Sequence, residues 1–198
     1  VTQPNEDQKI KNIELVMKLI DKMPEPRAGL VKKMMEGWVG EQYFTAPASG
    51  REEYHSCYPG GLCQHSLNVV KNLKKICDAM APGKYDAATI SFVGLFHDLG
   101  KAGVEGEPLY VPNPSDWHRE KVGKLYETNK DCPFMPTSER SLYTLQRHGI
   151  VLENDEYLAI RLNDGQYDET NRNYRMKEPE LALFLHWADM YSTIQEKG

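Results

Sequence analysis

From Glu6 to Lys22 the apolar residues Ile10, Ile13, Val16, Met17 and Ile20 recur every three or four positions, the period of an amphipathic helix. Pro24 and Pro26 break that pattern. A second helix is expected from Pro26 through Leu30, Val31, Met34, Met35 and Trp38 to Gly40, with its methionines and tryptophan read as core. Between Tyr43 and Gly61 turn-formers are too dense for a long helix. Pro59-Gly60-Gly61 then opens a helix that sets Leu62, Val69, Leu73, Ile76 and Met80 on one face and Lys71, Lys74 and Lys75 on the other. After Pro82-Gly83 the pattern resumes from about Asp86 to Leu99, with Ile90 and Val93 inward. Gly94, one turn before His97, is small enough to admit a neighbouring helix, and Gly100 is read as the left-handed stop.

Glycine and proline crowd again from Ala102 to Asp116, where Leu109-Tyr110-Val111 suggests a short strand or hairpin. A helix is expected from Trp117 to Tyr126, and another from Thr137 or Ser138 to His148, stopped by Gly149. Asn154 to Leu162 makes a further short helix. The polar run Asn163 to Arg175 reads as a surface loop, and Pro179 opens a last helix with Leu181, Leu185, Ala188 and Ser192 in one stripe. No internal repeat interrupts the series. The expected fold is all-α: a single helical bundle with a short hairpin or irregular insertion, residues 1–40 forming a helical pair packed on a core unit of 41–198.

Composition narrows the function classes. The chain has 198 residues, a formal charge of -5, 40% hydrophobic and 27% charged residues, an ordinary globular balance. Long nucleic acid is not expected as a partner, because such binders carry a basic face. Nor is a membrane, since no apolar run approaches the roughly 18 residues a span needs. The polar, acidic first residues are unlike a signal peptide, so a cytoplasmic protein is expected. Cys57, Cys63, Cys77 and Cys132 contain no Cys-x-x-Cys pair and are read as reduced thiols.

Polar groups on inward faces change the picture further. His65 falls between Leu62 and Val69, His97 and Asp98 end an apolar run, His118 and His148 sit at helix ends, and Asp189 interrupts the last apolar helix. Burying a carboxylate such as Asp98 without a partner costs several kcal/mol. A cation must therefore accompany it, either a basic side chain or a metal. Imidazole and carboxylate are ligands for divalent ions such as Zn, Fe and Mn, and a set without cysteine argues against a structural zinc site.

Gly60-Gly61-Leu62-Cys63-Gln64-His65-Ser66, Leu95-Phe96-His97-Asp98-Leu99-Gly100-Lys101 and Ala188-Asp189 resemble, in order and spacing, the motifs of the HD superfamily of metal-dependent phosphohydrolases. Thr45-Ala-Pro-Ala-Ser and Tyr54-His55 before Pro59-Gly60-Gly61 look most like the HD domains of 3′–5′ exoribonucleases and their uncharacterised relatives. The resemblance implies that His65, His97, Asp98 and Asp189 bind a metal. In two-metal members two more histidines lie between the His-Asp pair and the last aspartate, which here implies His118 and His148, with Asp98 bridging. The implied cofactors are divalent ions, two of them, drawn from Fe, Mn, Zn, Ni, Co or Mg.

The implied reaction is hydrolysis of a phosphoester in a nucleotide or short oligonucleotide, with metal neutralising phosphoryl oxygens and lowering the pKa of water. Asp98 and Lys101 are the candidate catalytic residues. Lys101 and Arg147 are candidates to contact phosphate, while Tyr167, Arg172, Tyr174 and Arg175 offer aromatic and guanidinium faces to a nucleotide. His55 and His186 are weaker candidates, His186 as a neighbour of Asp189. The same six ligands also fit a different class, the mixed-valent di-iron HD oxygenases, and a 3′–5′ exonuclease-like activity on single strands is a further alternative. A third class is a regulatory domain with a vestigial site.

Overall fold

The computed structural model describes residues 3–197. Helix α1 (Glu6–Ile20) is capped by Asn5, whose side chain accepts from the Gln8 amide. Only Val16 and Ile20 of its apolar stripe are fully buried, whereas Ile10 is 54% exposed, so the helix lies on the bundle's surface. The single helix expected from Pro26 to Gly40 is two: α2 (Arg27–Met35) and α3 (Trp38–Thr45). Gly37, in extended backbone, separates them. The apolar period survives such a break, because both pieces bury their stripe against the same core.

The centre is α4 (Gly61–Met80), packed between α5 (Ala87–Phe96) and α9 (Glu180–Glu196). Gly94 permits that approach: a Cβ there would lie 2.7 Å from Val70 Cγ2. Val16, Ile20, Val31, Met34, Leu62, Leu73, Phe92, Phe96, Leu181 and Leu185 belong to one buried cluster. Each such side chain contributes about 1.5–3 kcal/mol on burial, so the first two helices share the core of α4, α5 and α9.

After α5 the chain makes a 3-10 turn over Leu99–Ala102. Gly100 does not take a positive φ; the positive-φ glycine is Gly103, at φ 102° after the 3-10 turn. Gly100 is required for another reason, because a Cβ would sit 2.2 Å from the Thr137 carbonyl oxygen at the start of α7 (Thr137–Arg147). The expected insertion is present as a two-stranded antiparallel hairpin, β1 (Tyr110–Pro112) with β2 (Tyr126–Thr128), Tyr110 opposite Thr128. Helix α6 (Asp116–Val122) fills the connection, ends at Gly123 in the left-handed region, and leaves Tyr126 in a strand where a helix was expected. Helix α8 (Asn154–Arg161) packs on α9 and α5. The polar stretch that follows winds into short 3-10 turns over 165–167 and 169–174. It is less exposed than its composition suggests: Asn163 and Asn171 are buried, and Tyr174 packs on the core.

Candidate metal centre

Adjacent residues on a continuing helix diverge by about 100°, yet His97 and Asp98 face one point. Helix α5 ends at Phe96, His97 keeps helical backbone, and Asp98 turns to φ -103°, ψ 14° before the 3-10 turn. Ser141 of α7 holds this bend, accepting from the Gly100 amide at 2.8 Å and reaching the His97 carbonyl at 2.9 Å. Nearby, the buried Arg140 donates to the carbonyls of Gly100, Pro133 and Met135.

His65 is fully buried on the inner face of α4. Its Nε2 lies 2.9 Å from Asp189 Oδ1 and 3.7 Å from Asp98 Oδ2. His97 Nε2 is 3.5 Å from Asp98 Oδ2 and 3.8 Å from Asp189 Oδ1. Both Nε2 atoms are buried without a hydrogen-bond partner, whereas each Nδ1 is engaged: that of His65 with Glu196 at 3.0 Å, that of His97 with the Gly94 carbonyl at 2.9 Å. Nitrogens turned inward, anchored from behind and left without partners, are the arrangement metal-ligating histidines adopt.

Charge supports the same fit. Asp98, Asp189 and Glu196 are carboxylates, and Lys101 Nζ sits 2.6 Å from Asp98 Oδ2. With His65 neutral, as ligation requires, three negative charges against one positive leave two, which one divalent cation neutralises. Burial disfavours the Asp98 carboxylate, but Lys101 and the imidazoles outweigh it and hold its pKa below the usual range. Asp189 is likewise held well down, chiefly by His65 and His97 against burial. Burial also opposes charge on His65, but Asp189 and Glu196 push its pKa up to about 9.

Among the described residues two groups each bring three possible ligand atoms within 4.8 Å of one another: His65, His97 and Asp189, and His55, His65 and Asp98. The residues present fit a divalent ion. The two groups share His65, whose Nδ1 engages Glu196. His55 comes from the loop before α4, its ring centroid 4.5 Å from that of His65 and its Nε2 buried without a partner. That loop can lie against the helix start only because Gly61 has no Cβ, which would meet the Ser56 carbonyl oxygen at 2.0 Å. Burial first, then the Lys101 charge, lowers the His55 pKa to about 3, so its imidazole is neutral.

His118 and His148 are in neither group. His118 is exposed on α6, which the hairpin carries outward, and its backbone amide donates to Ser115. His148 caps the end of α7 and lines a separate cavity of about 290 Å³ with Arg147, Tyr143 and Val39. Tyr167 is 79% exposed and lines another cavity with His186, whose Nδ1 engages the Asn163 carbonyl at 2.6 Å. Arg172 pairs with Glu169 at 2.9 Å, Tyr174 packs on the core, and Arg175 is exposed. From this loop Asp164 feels the centre: it is solvent-facing, yet surrounding protein, then Asp98 and Asp189, raise its pKa.

Glu196 is not identified as part of the site by the sequence, and His55 only as a weaker candidate. Glu196 carried a readable signal, since it extends the stripe Leu185, Ala188, Ser192 by one more turn of α9. His55 carried little, because loop residues have no periodicity from which to infer a direction.

A helical bundle gathers His65, His97-Asp98 and Asp189 from three elements, and these residues could hold a metal ion. The HD domain family matches residues 62–194, and the chain belongs to the HD superfamily of metal-dependent phosphohydrolases. No curated protein and no solved structure matches the chain significantly. No helix among the described residues is long and apolar enough to cross a membrane.

Proposed function

We propose that the protein hydrolyses a phosphoester of a nucleotide or short oligonucleotide at a centre formed by His65, His97, Asp98 and Asp189. The observation that carries this reading is the pair of buried, unpartnered Nε2 atoms facing two carboxylates, with Lys101 alongside. A divalent cation held there supplies Lewis acidity toward phosphoryl oxygens and eases deprotonation of water at neutral pH. The chain's own residues do the rest. Lys101, whose ammonium is stabilised against burial chiefly by Asp98, presents positive charge to the phosphate. Neutral His55 faces the same space and can hydrogen-bond an ester oxygen. The anchors Glu196 and Gly94 keep both imidazoles oriented before substrate arrives.

The di-iron oxygenase reading needs six ligands, and His118 and His148 belong to neither ligand group. Metal analysis combined with hydrolysis of p-nitrophenyl phosphate and nucleotides in Mn, Fe, Co, Ni or Mg tests the proposal. One ion per chain is expected, and His97→Ala and Asp98→Ala should each remove both the ion and at least 99% of the activity (about 10²-fold). Retention of both properties by either variant, or O2 consumption by an iron-loaded protein with substrate, would sink the claim.

A further inference from the structure

Beside the centre lies a cavity of about 380 Å³, walled by the loop before α4, the β1–β2 hairpin and the end of α9, a size suited to a small organic ligand. His55 and Lys101 belong to its wall and also face the metal ligands. A phosphate held at the centre would therefore extend the remainder of its substrate into this space.

Two properties of the wall stand out. In a chain of net charge -5, its wall carries Arg51, Lys101, Lys124 and Lys197 with one carboxylate, Glu127; Arg51 also pairs with Glu53 at 3.2 Å and Lys101 with Asp98 at 2.6 Å. It also presents three tyrosines. Tyr110 faces Thr128 across the hairpin, and Tyr126 is two residues from Thr128 on the same strand, so Tyr110 and Tyr126 share a face at diagonal spacing. Tyr54, 49% exposed, stands on the opposing loop. The walls are tied together: the Tyr126 amide donates to the Gly50 carbonyl at 3.1 Å, and the Glu52 amide to the Gly123 carbonyl at 2.9 Å. Spaced cations interleaved with aromatic faces are what a phosphate–base–phosphate chain matches.

Building on the phosphohydrolase reading, we infer that this cavity is the substrate subsite and that it takes a single-stranded chain of at least two nucleotides. The phosphate nearer the centre meets Lys101 and His55, a base stacks on Tyr110 and Tyr126, and the next phosphate lies between Arg51 and Lys124. This surface, and not the loop of Tyr167 to Arg175, then sets which phosphoester is cleaved.

Equilibrium binding of a phosphorothioate-linked dinucleotide, a nucleoside diphosphate and a nucleoside monophosphate to the full chain tests this. The dinucleotide should bind most tightly, and more weakly as salt rises. Tyr126→Leu should weaken it roughly tenfold, the size of one stacked base, and Tyr126→Phe should restore it. Lys124→Gln should weaken the dinucleotide several-fold more than the monophosphate. Equal affinity for all three ligands, tighter binding of the diphosphate, or indifference to both Tyr126→Leu and Lys124→Gln would overturn the assignment. Lys124→Gln keeps the test open if Tyr126→Leu fails to fold. Hydrolysis of p-nitrophenyl phosphate, which carries no nucleoside, reads the centre separately. Its absence alongside variant-sensitive binding would sink the hydrolase reading and leave the subsite standing.

Discussion

Glu196 shows how much one side chain can decide. Its carboxylate is buried and accepts from Ser56 Oγ at 2.7 Å and Asn68 Nδ2 at 2.8 Å while engaging His65 Nδ1. It holds the proton on Nδ1 when His65 ligates and leaves Nε2 to face Asp189. Removing such a support behind a ligating histidine typically costs 10–100-fold in metal affinity, so Glu196→Ala should weaken metal binding by about that factor, measured by chelator competition. A pH dependence follows from the same residue. Because the His65 pKa is pushed up to about 9, the ring is protonated at neutral pH and must release that proton to ligate. Apparent metal affinity should therefore rise with pH up to about 9 and flatten above it. Calorimetry in buffers of different ionisation enthalpy should show proton release at pH 7, and its absence would contradict the assignment of His65 as a ligand.

At the scale of the element, the bend after α5 matters more than the helices it joins. Gly100 packs so closely on Thr137 and Arg140 that even alanine would overlap them. Gly100→Ala should destabilise the protein by about 1–3 kcal/mol, the usual cost of overpacking, and should lower metal affinity because the bend aims His97 and Asp98. Ser141→Ala, which removes one buried hydroxyl, should cost about 1 kcal/mol; thermal melts with metal titrations rank the two. Gly100 was legible in the sequence as the end of α5, but its reason was not. A glycine after a helix suggests a left-handed residue, whereas this one is needed by a helix some 40 residues later. Tyr126 is a similar case. Its local pattern reads as helix, but Gly123 ends α6 first and backbone pairing with β1 and Gly50 claims the tyrosine for a strand.

At the scale of the whole molecule, α2 is fastened to α8 by a charged pair instead of apolar contact alone. Arg27 meets both oxygens of the buried Glu156 at 2.6 and 2.8 Å and lies 4.6 Å over the Phe92 ring. Glu156 also closes the capping box of α8 through the Glu153 amide. Removing one partner of a buried pair strands the other, so Arg27→Met should cost about 3 kcal/mol in a denaturant titration. Replacing both, Arg27→Met with Glu156→Gln, should recover part of it.

The amino-acid sequence by itself determined the helical class, most helix positions and the inward faces of His65 and Asp189, because helix periodicity is local and follows from spacing alone. It also made His97-Asp98 conspicuous, since two polar groups at the end of an apolar run require a partner. Only the tertiary structure decided which distant groups meet them. It brings His55 and Glu196 in, leaves His118 and His148 out, and builds the basic, tyrosine-rich wall from a loop, a hairpin and a helix end. No spacing along the chain encodes those meetings, which depend on how separate elements pack.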